Sequence, residues 1–302
     1  MLNVNICGIN FKNPVITASG TYGFGKDYAD FFPLEKLGGI ACKGTTLHPR
    51  PGNAPPRIAE TPSGMLNSVG LQNPGVDRFI EHELPWLLEQ NTVIIANAAG
   101  AAVEDYVENV SKMSSSGVHM IELNISCPNV KEGGVAFGTS CGSVGSIVGA
   151  AKKVSANVPL IVKLSPNVSN ISEIARSAEA AGADALSLIN TITGMKIDAE
   201  TRRPILRNNV GGLSGPAILP VAVRMVWEVR RAVKLPIIGM GGVTTWRDAA
   251  ELILAGADAI QIGTACFTDP YAPLKIIEGL ENWVKSQGCT NIRELSGAVE
   301  SY

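Results

Sequence analysis

Aromatic residues make up only 5% of this 302-residue chain, and charged residues 17%. The formal net charge is −2 and no lysine or arginine run stands out. Neither a nucleic-acid partner nor a charged membrane surface is therefore expected. No apolar run approaches the length of a membrane span. Met1-Leu2-Asn3-Val4-Asn5 has no basic segment followed by an apolar one, so no signal peptide is expected. The six cysteines (Cys7, Cys42, Cys127, Cys141, Cys266 and Cys289) are widely scattered and form no C-x-x-C pair. That spacing offers neither a metal site nor an iron–sulfur site, and it suits a cytoplasmic chain with reduced thiols.

What is abundant is apolar residues, at 45%, and glycine, at 32 residues. The first allow a large core; the second suits many tight strand-to-helix turns and close backbone approach to a ligand. Eight short apolar runs read as strands: 14–18, 39–43, 93–97, 119–124, 160–163, 185–190, 236–240 and 259–263. Several are continuously apolar, as strands covered on both faces are. Helical patterns lie between them at 103–115, 171–181, 216–233 and 245–255. Ser169 or Asn170 is placed to cap the second of these and Thr244 the last. Ala-Gly-Ala-Asp occurs twice, at 181–184 and 255–258, as a glycine helix stop leading into the next strand. The pattern predicts a (β/α)8 TIM barrel forming a single domain over 1–302, with an N-terminal hairpin at 2–11 closing its bottom. An open doubly wound sheet is the alternative, weakened by the lack of G-x-G-x-x-G after the first strand.

Barrel chemistry collects at the C-terminal strand ends. Those ends carry Ser19, Lys43, Asn97, Asn124, Lys163, Asn190, Gly241-Gly242 and Gly263-Thr264. A lysine ending a buried strand must find an anion, neutralise or snorkel to solvent. The glycines after the last two strands let backbone N–H groups approach a phosphate, although turns use glycine in any case. Two long insertions, 44–74 and 191–215, are expected to cover the mouth. The run Asn124-Ile125-Ser126-Cys127-Pro128-Asn129 sets a cysteine between carboxamides just past a buried strand. It reads as a reactive thiol beside a polar ligand, or as a buried structural cysteine in a tight turn.

Together these residues resemble the class 1 dihydroorotate dehydrogenases over almost the whole chain. The resemblance is carried by Asn124–Asn129 with Val130-Lys131-Glu132-Gly133-Gly134 and by Asn67–Pro74. Lys163-Leu164-Ser165-Pro166-Asn167, Ile189-Asn190-Thr191, Gly211–Gly215 and Gly239–Gly242 add to it. The stretch 129–138 is most similar to the NAD-linked class 1B subgroup. The resemblance implies FMN at the barrel mouth and oxidation of (S)-dihydroorotate to orotate in pyrimidine biosynthesis. It makes Cys127 the base, with Lys43 touching flavin and substrate and Lys163 beside the flavin ring. It assigns Asn67, Ser68, Val69, Gly70, Leu71, Asn124, Asn190 and Thr191, with Lys43, to the substrate cradle, which Asn129 also fits by motif. Ser19, Lys43, Gly44, Asn97, Asn124, Lys163, Ile189 and Gly215 become flavin contacts, and Gly241, Gly242, Gly263 and Thr264 the phosphate grip.

Subgroup members pair with a second subunit carrying FAD and a 2Fe-2S cluster. A heterotetramer of two catalytic and two electron-transfer chains is thus implied, with NAD+ as final acceptor. Three rivals stand beside this reading. They are a fumarate-using class 1A homodimer, a Schiff-base barrel lyase with Lys163 as nucleophile, and a non-catalytic FMN-binding scaffold. Cys42 and Cys266, near strand ends, are expected to serve packing.

Overall fold

In the computed structural model, eight parallel strands close into a barrel in sequence order. The structure describes residues 1–125, 137–300 and 302. The barrel strands are Val15–Thr17, Gly39–Ala41, Val93–Ala98, Met120–Asn124, Leu160–Lys163, Ala185–Leu188, Ile237–Met240 and Ala259–Ile262. Each falls on one of the eight apolar runs, within two residues at either end. The last strand returns to the first through Ile260 beside Val15, which completes the ring. The predicted (β/α)8 barrel is the observed one.

The strands form here because most carry β-branched residues and both their faces are covered. Ile94, Ile95, Ile121, Ile161, Val162, Ile237, Ile238 and Ile260 are fully shielded from solvent. Burying each such side chain contributes about 1.5–3 kcal/mol. Helices Val103–Ser114, Ile171–Ala180 and Trp246–Ala255 lie where the periodicity predicts them. Asn170 is the cap of the second, accepting from the N–H groups of Ser172 and Glu173. The third is capped by Thr245 rather than Thr244. Thr245 accepts from the Asp248 N–H, while the Asp248 carboxylate takes both the Thr244 and Thr245 N–H groups. The run 216–233 is two pieces, a 3-10 turn Pro216–Ile218 and an α-helix Leu219–Arg230. Pro220, in its first turn, has no N–H to lose there, so the α-helix begins at that point.

Two further long helices, Cys141–Val154 and Ala272–Ser286, are not among those read from the sequence, although the second buries Pro273, Ile276, Leu280 and Val284 at helical spacing. The first holds three glycines; a Cβ on Gly145 would stand 3.5 Å from Ser177 Oγ and one on Gly149 4.0 Å from the Ala181 carbonyl. Small residues on this face let the helix lie close to its neighbour, and they dilute the hydrophobic pattern. The N-terminal strands Val4–Ile6 and Ile9–Phe11 pair as the expected hairpin. Val4, Ile6 and Phe11 are buried, and Cys7 Sγ donates to the Asp184 carbonyl at the bottom of the sixth strand.

The two insertions expected over the mouth are one structure. Strands Ile58–Thr61 and Gly64–Asn67 from the first pair with Ile192–Met195 and Val210–Ser214 from the second in a four-stranded antiparallel sheet. Its central seam sets Asn67, Leu66 and Met65 against Gly212, Leu213 and Ser214.

Candidate active site

A cleft of about 1250 Å³, counting the space open to solvent, lies between the C-terminal strand ends and this added sheet. Of the residues singled out in the sequence, Ser19, Lys43, Gly44, Asn97, Asn124, Lys163 and Ile189 form its floor and sides. Asn67, Val69, Gly70, Leu71, Asn190, Thr191 and Gly215 line it towards the added sheet, and Gly241, Gly242, Gly263 and Thr264 line the far wall. Ser68 is not in the wall; its Oγ is buried with no partner among the described residues. Cys127 and Asn129 lie outside the described residues.

Glycines give the walls their shape. A Cβ on Gly44 would stand 2.6 Å from Asn97 Oδ1, so only glycine lets the backbone pass over that carboxamide. Gly241 and Gly242 have φ of +125° and +81°, and Cβ atoms there would strike Ala222 and the Leu219 backbone at 2.9 and 2.7 Å. The turn is thus pressed against the start of helix Leu219–Arg230. The N–H groups of Gly241, Gly242, Gly263 and Thr264 have no acceptor among the described residues. Free amides gathered from two neighbouring strand ends suit a phosphate. Thr264 Oγ1 also donates to Ser214 Oγ at 2.8 Å, tying this wall to the added sheet.

The side of the cleft towards the added sheet is built from carboxamides. Asn190 Nδ2 reaches Asn124 Oδ1 at 3.5 Å, and Asn190 Oδ1 accepts from the Thr191 N–H at 2.7 Å. Asn67 Nδ2 donates to the Gly212 carbonyl at 3.4 Å. Cβ atoms on Gly211 and Gly212 would fall 2.5 Å from the Asn67 carbonyl and 2.1 Å from Thr191 Oγ1. The glycine pair therefore lets both insertions close on the same spot.

The two lysines differ. Lys43 is half-buried and has no side-chain partner among the described residues. Burial, helped by the nearby Arg57 charge, pulls its ammonium below the ordinary lysine range. Lys163 is buried, with Nζ 3.4 Å from Ser19 Oγ and 3.7 Å from Glu122 Oε2.

Glu122 is the residue that the sequence reading missed. It is fully buried, in mid-strand, and accepts from Asn97 Nδ2 at 2.6 Å, Ser187 Oγ at 2.8 Å and Gln261 Nε2 at 2.8 Å. These partners come from the third, sixth and eighth strands, so the carboxylate reaches across the barrel interior. Met120, Glu122 and Asn124 alternate to the inside of their strand, as barrel geometry requires. The signal in the sequence was a lone acid inside Val118–Leu123, since an unpaired charge has no place in such a run. The cysteines near strand ends behave as packing groups. Burial pushes the Cys42 thiol up to about 12, and burial with the nearby Asp269 does the same to Cys266.

The fit to a flavin nucleotide can be tested on the floor itself. Asn97 Oδ1 and Gln261 Oε1 are buried acceptors with no partner among the described residues. Leaving such a group unpaired costs about 1–3 kcal/mol. Both residues line the cleft, which thus calls for a ligand with N–H on a polar edge and phosphate at the far end. FMN has both.

A parallel barrel with its convergent polar groups at the C-terminal mouth defines an enzyme of the (β/α)8 class. Comparison with known proteins then narrows the class. A family model described as dihydroorotate dehydrogenase matches residues 1–284, and the chain belongs to that family. A protein of Parabacteroides distasonis is 56% identical over 301 residues, covering 99% of this chain and 98% of that one. One from Phocaeicola vulgatus is 54% identical, with 99% of each chain covered, and one from Petrotoga mobilis 53%, with 98% of each. All three are named dihydroorotate dehydrogenase B (NAD(+)), catalytic subunit.

Proposed function

We propose that this chain is the catalytic subunit of an NAD-linked dihydroorotate dehydrogenase, oxidising (S)-dihydroorotate to orotate in pyrimidine biosynthesis. Near-full-length similarity to relatives bearing that name carries the reading. It favours the NAD-linked enzyme over the fumarate-using homodimer. Lys163 is held by Glu122 and Ser19 rather than free for a Schiff base, which speaks against the lyase.

FMN, when bound, supplies the hydride acceptor. Asn97 and Lys163 would hold its ring, and the amides of Gly241, Gly242, Gly263 and Thr264 its phosphate. Lys43 pairs with the substrate carboxylate, a role that suits a half-buried cation lacking an anion among the described residues. Asn67, Asn124, Asn190 and Thr191 orient the pyrimidine ring, whose edge alternates donors and acceptors as carboxamides do. Cys127 takes the proton from the carbon beside the ring carbonyl. An ordinary thiol, with a pKa of ~8.5, is only a few per cent thiolate at neutral pH, so proton removal speeds up towards alkaline pH. Lys163 places positive charge where negative charge gathers, a contribution of roughly 3–4 kcal/mol in comparable sites.

This chain carries no clustered cysteines, so electrons bound for NAD+ leave through a partner. We assign FAD and a 2Fe-2S cluster to that partner, in a heterotetramer of two catalytic and two electron-transfer chains. The deciding experiment is a visible spectrum of the purified chain. Flavin absorbance that bleaches on adding dihydroorotate is expected, with NADH formed once an iron–sulfur flavoprotein partner is supplied. A colourless protein trapped by borohydride would instead reinstate the lyase, and unbleached flavin the scaffold.

A further inference from the structure

We propose that Glu122 is a positioning residue that fixes the hydrogen-bond polarity of the cofactor floor, forcing Asn97 to offer its oxygen, and never its NH2, to the ligand. The inference rests on the flavin reading of the cleft and deepens it. A carboxylate accepts only, whereas a carboxamide can present either end. With Glu122 Oε2 at 2.6 Å, the Asn97 group that faces it has to be the NH2. The carbonyl oxygen is thereby turned the other way, under Gly44, where it is buried and unpaired among the described residues. Gln261 is committed in the same manner: its NH2 meets Glu122 Oε1, and its oxygen is the second unpaired acceptor.

The carboxylate divides its work between its two oxygens. Oε1 receives Ser187 and Gln261, while Oε2 receives Asn97 and lies 3.7 Å from the Lys163 ammonium. This division makes a clean substitution available. In Glu122→Gln, a carbonyl at the Oε1 position still accepts from Ser187 and Gln261. The new NH2 then faces Asn97, which flips to accept from it and turns its own NH2 towards the ligand; were the NH2 placed at Oε1 instead, Gln261 would be the one to flip, so either way a floor acceptor becomes a donor. An N–H edge of the ligand then meets a donor instead of an acceptor.

The double variant Glu122→Gln/Asn97→Asp restores the original polarity with the same number of atoms and charges. The carboxamide introduced on the fourth strand donates to one oxygen of the carboxylate introduced on the third, and the other oxygen faces the ligand as an acceptor. FMN affinity of the full-length holoprotein is read from flavin fluorescence released on dilution, beside thermal melting. The single variant is expected to lose at least tenfold in affinity, and the double to recover to within about threefold of wild type. A single variant that melts lower but binds FMN as wild type does would mean that Glu122 is merely structural, and would overturn the proposal. So would a double that binds no better than the single. If Glu122→Gln alone does not fold, the double decides: folded with FMN bound it supports the proposal, and otherwise it defeats it. Wild type that holds no FMN would refute the flavin reading itself, a result distinct from all of these.

Discussion

The two ends of this barrel treat polar groups in opposite ways. At the bottom, each Ala-Gly-Ala-Asp repeat delivers an aspartate to an occupied position. Asp184 Oδ2 accepts from the Leu160 N–H at 2.7 Å and from Lys152 Nζ at 2.6 Å. Asp258 Oδ2 accepts from the Ile237 N–H at 2.8 Å and pairs with Arg230, which also donates to the Gly256 carbonyl. At the mouth, Asn97 and Gln261 keep bare oxygens, four amides lack acceptors and Lys43 lacks an anion among the described residues. The bottom spends its hydrogen bonds on itself, and the mouth reserves them for what binds there.

This contrast breaks down if changes at the mouth harm folding or changes at the bottom harm chemistry. Cys127→Ser, at the base assigned under the proposed function, has the largest expected effect. Stopped-flow flavin reduction should slow a hundredfold or more, easing at high pH, with FMN and melting temperature retained. Unchanged reduction would remove Cys127 from the reaction. Asp258→Ala tests the bottom. It leaves the Ile237 N–H and the Arg230 guanidinium without their carboxylate, a loss of about 2 kcal/mol after discount for partial exposure. Urea unfolding should show that loss while the flavin spectrum stays as it was; an altered spectrum would blur the division.

The smallest effect concerns Lys43. The proposed pairing with an anionic substrate needs its ammonium, whose pKa burial lowers from the ordinary lysine value. Orotate affinity should therefore be flat through neutral pH. It should fall as pH rises, beginning below the pH at which an ordinary lysine titrates. Titration of orotate against the flavin spectrum reads this directly; affinity that rises with pH in that range would show that Lys43 does not meet the carboxylate.

The repeated units of the barrel were legible in the sequence because each rule involved is local. A β-branched run makes a strand, an Asn170 makes a cap, and Gly256 stops a helix whatever lies beyond. The lysines and asparagines at the strand ends were legible too, since a polar group closing an apolar run is conspicuous. Three features were not. Glu122 sits within a run that reads as core, and its partners stand 25, 65 and 139 positions away. The helix Cys141–Val154 was masked by glycines that serve contact with a neighbouring helix. The pairing of the two insertions depends on Gly211 and Gly212 meeting Asn67 and Thr191, a long-range fit that no local pattern reports.

That shared sheet has a consequence for how the enzyme comes into being. The ribosome makes Ile58–Asn67 long before Ile192–Ser214, so the first half of the roof waits, its edge unpaired, while four of the eight barrel strands are synthesised. Ligand capture is thereby a late event in the life of each new molecule. Grafting one half onto another barrel would carry across a flap with no hinge partner, so the two must travel as a set.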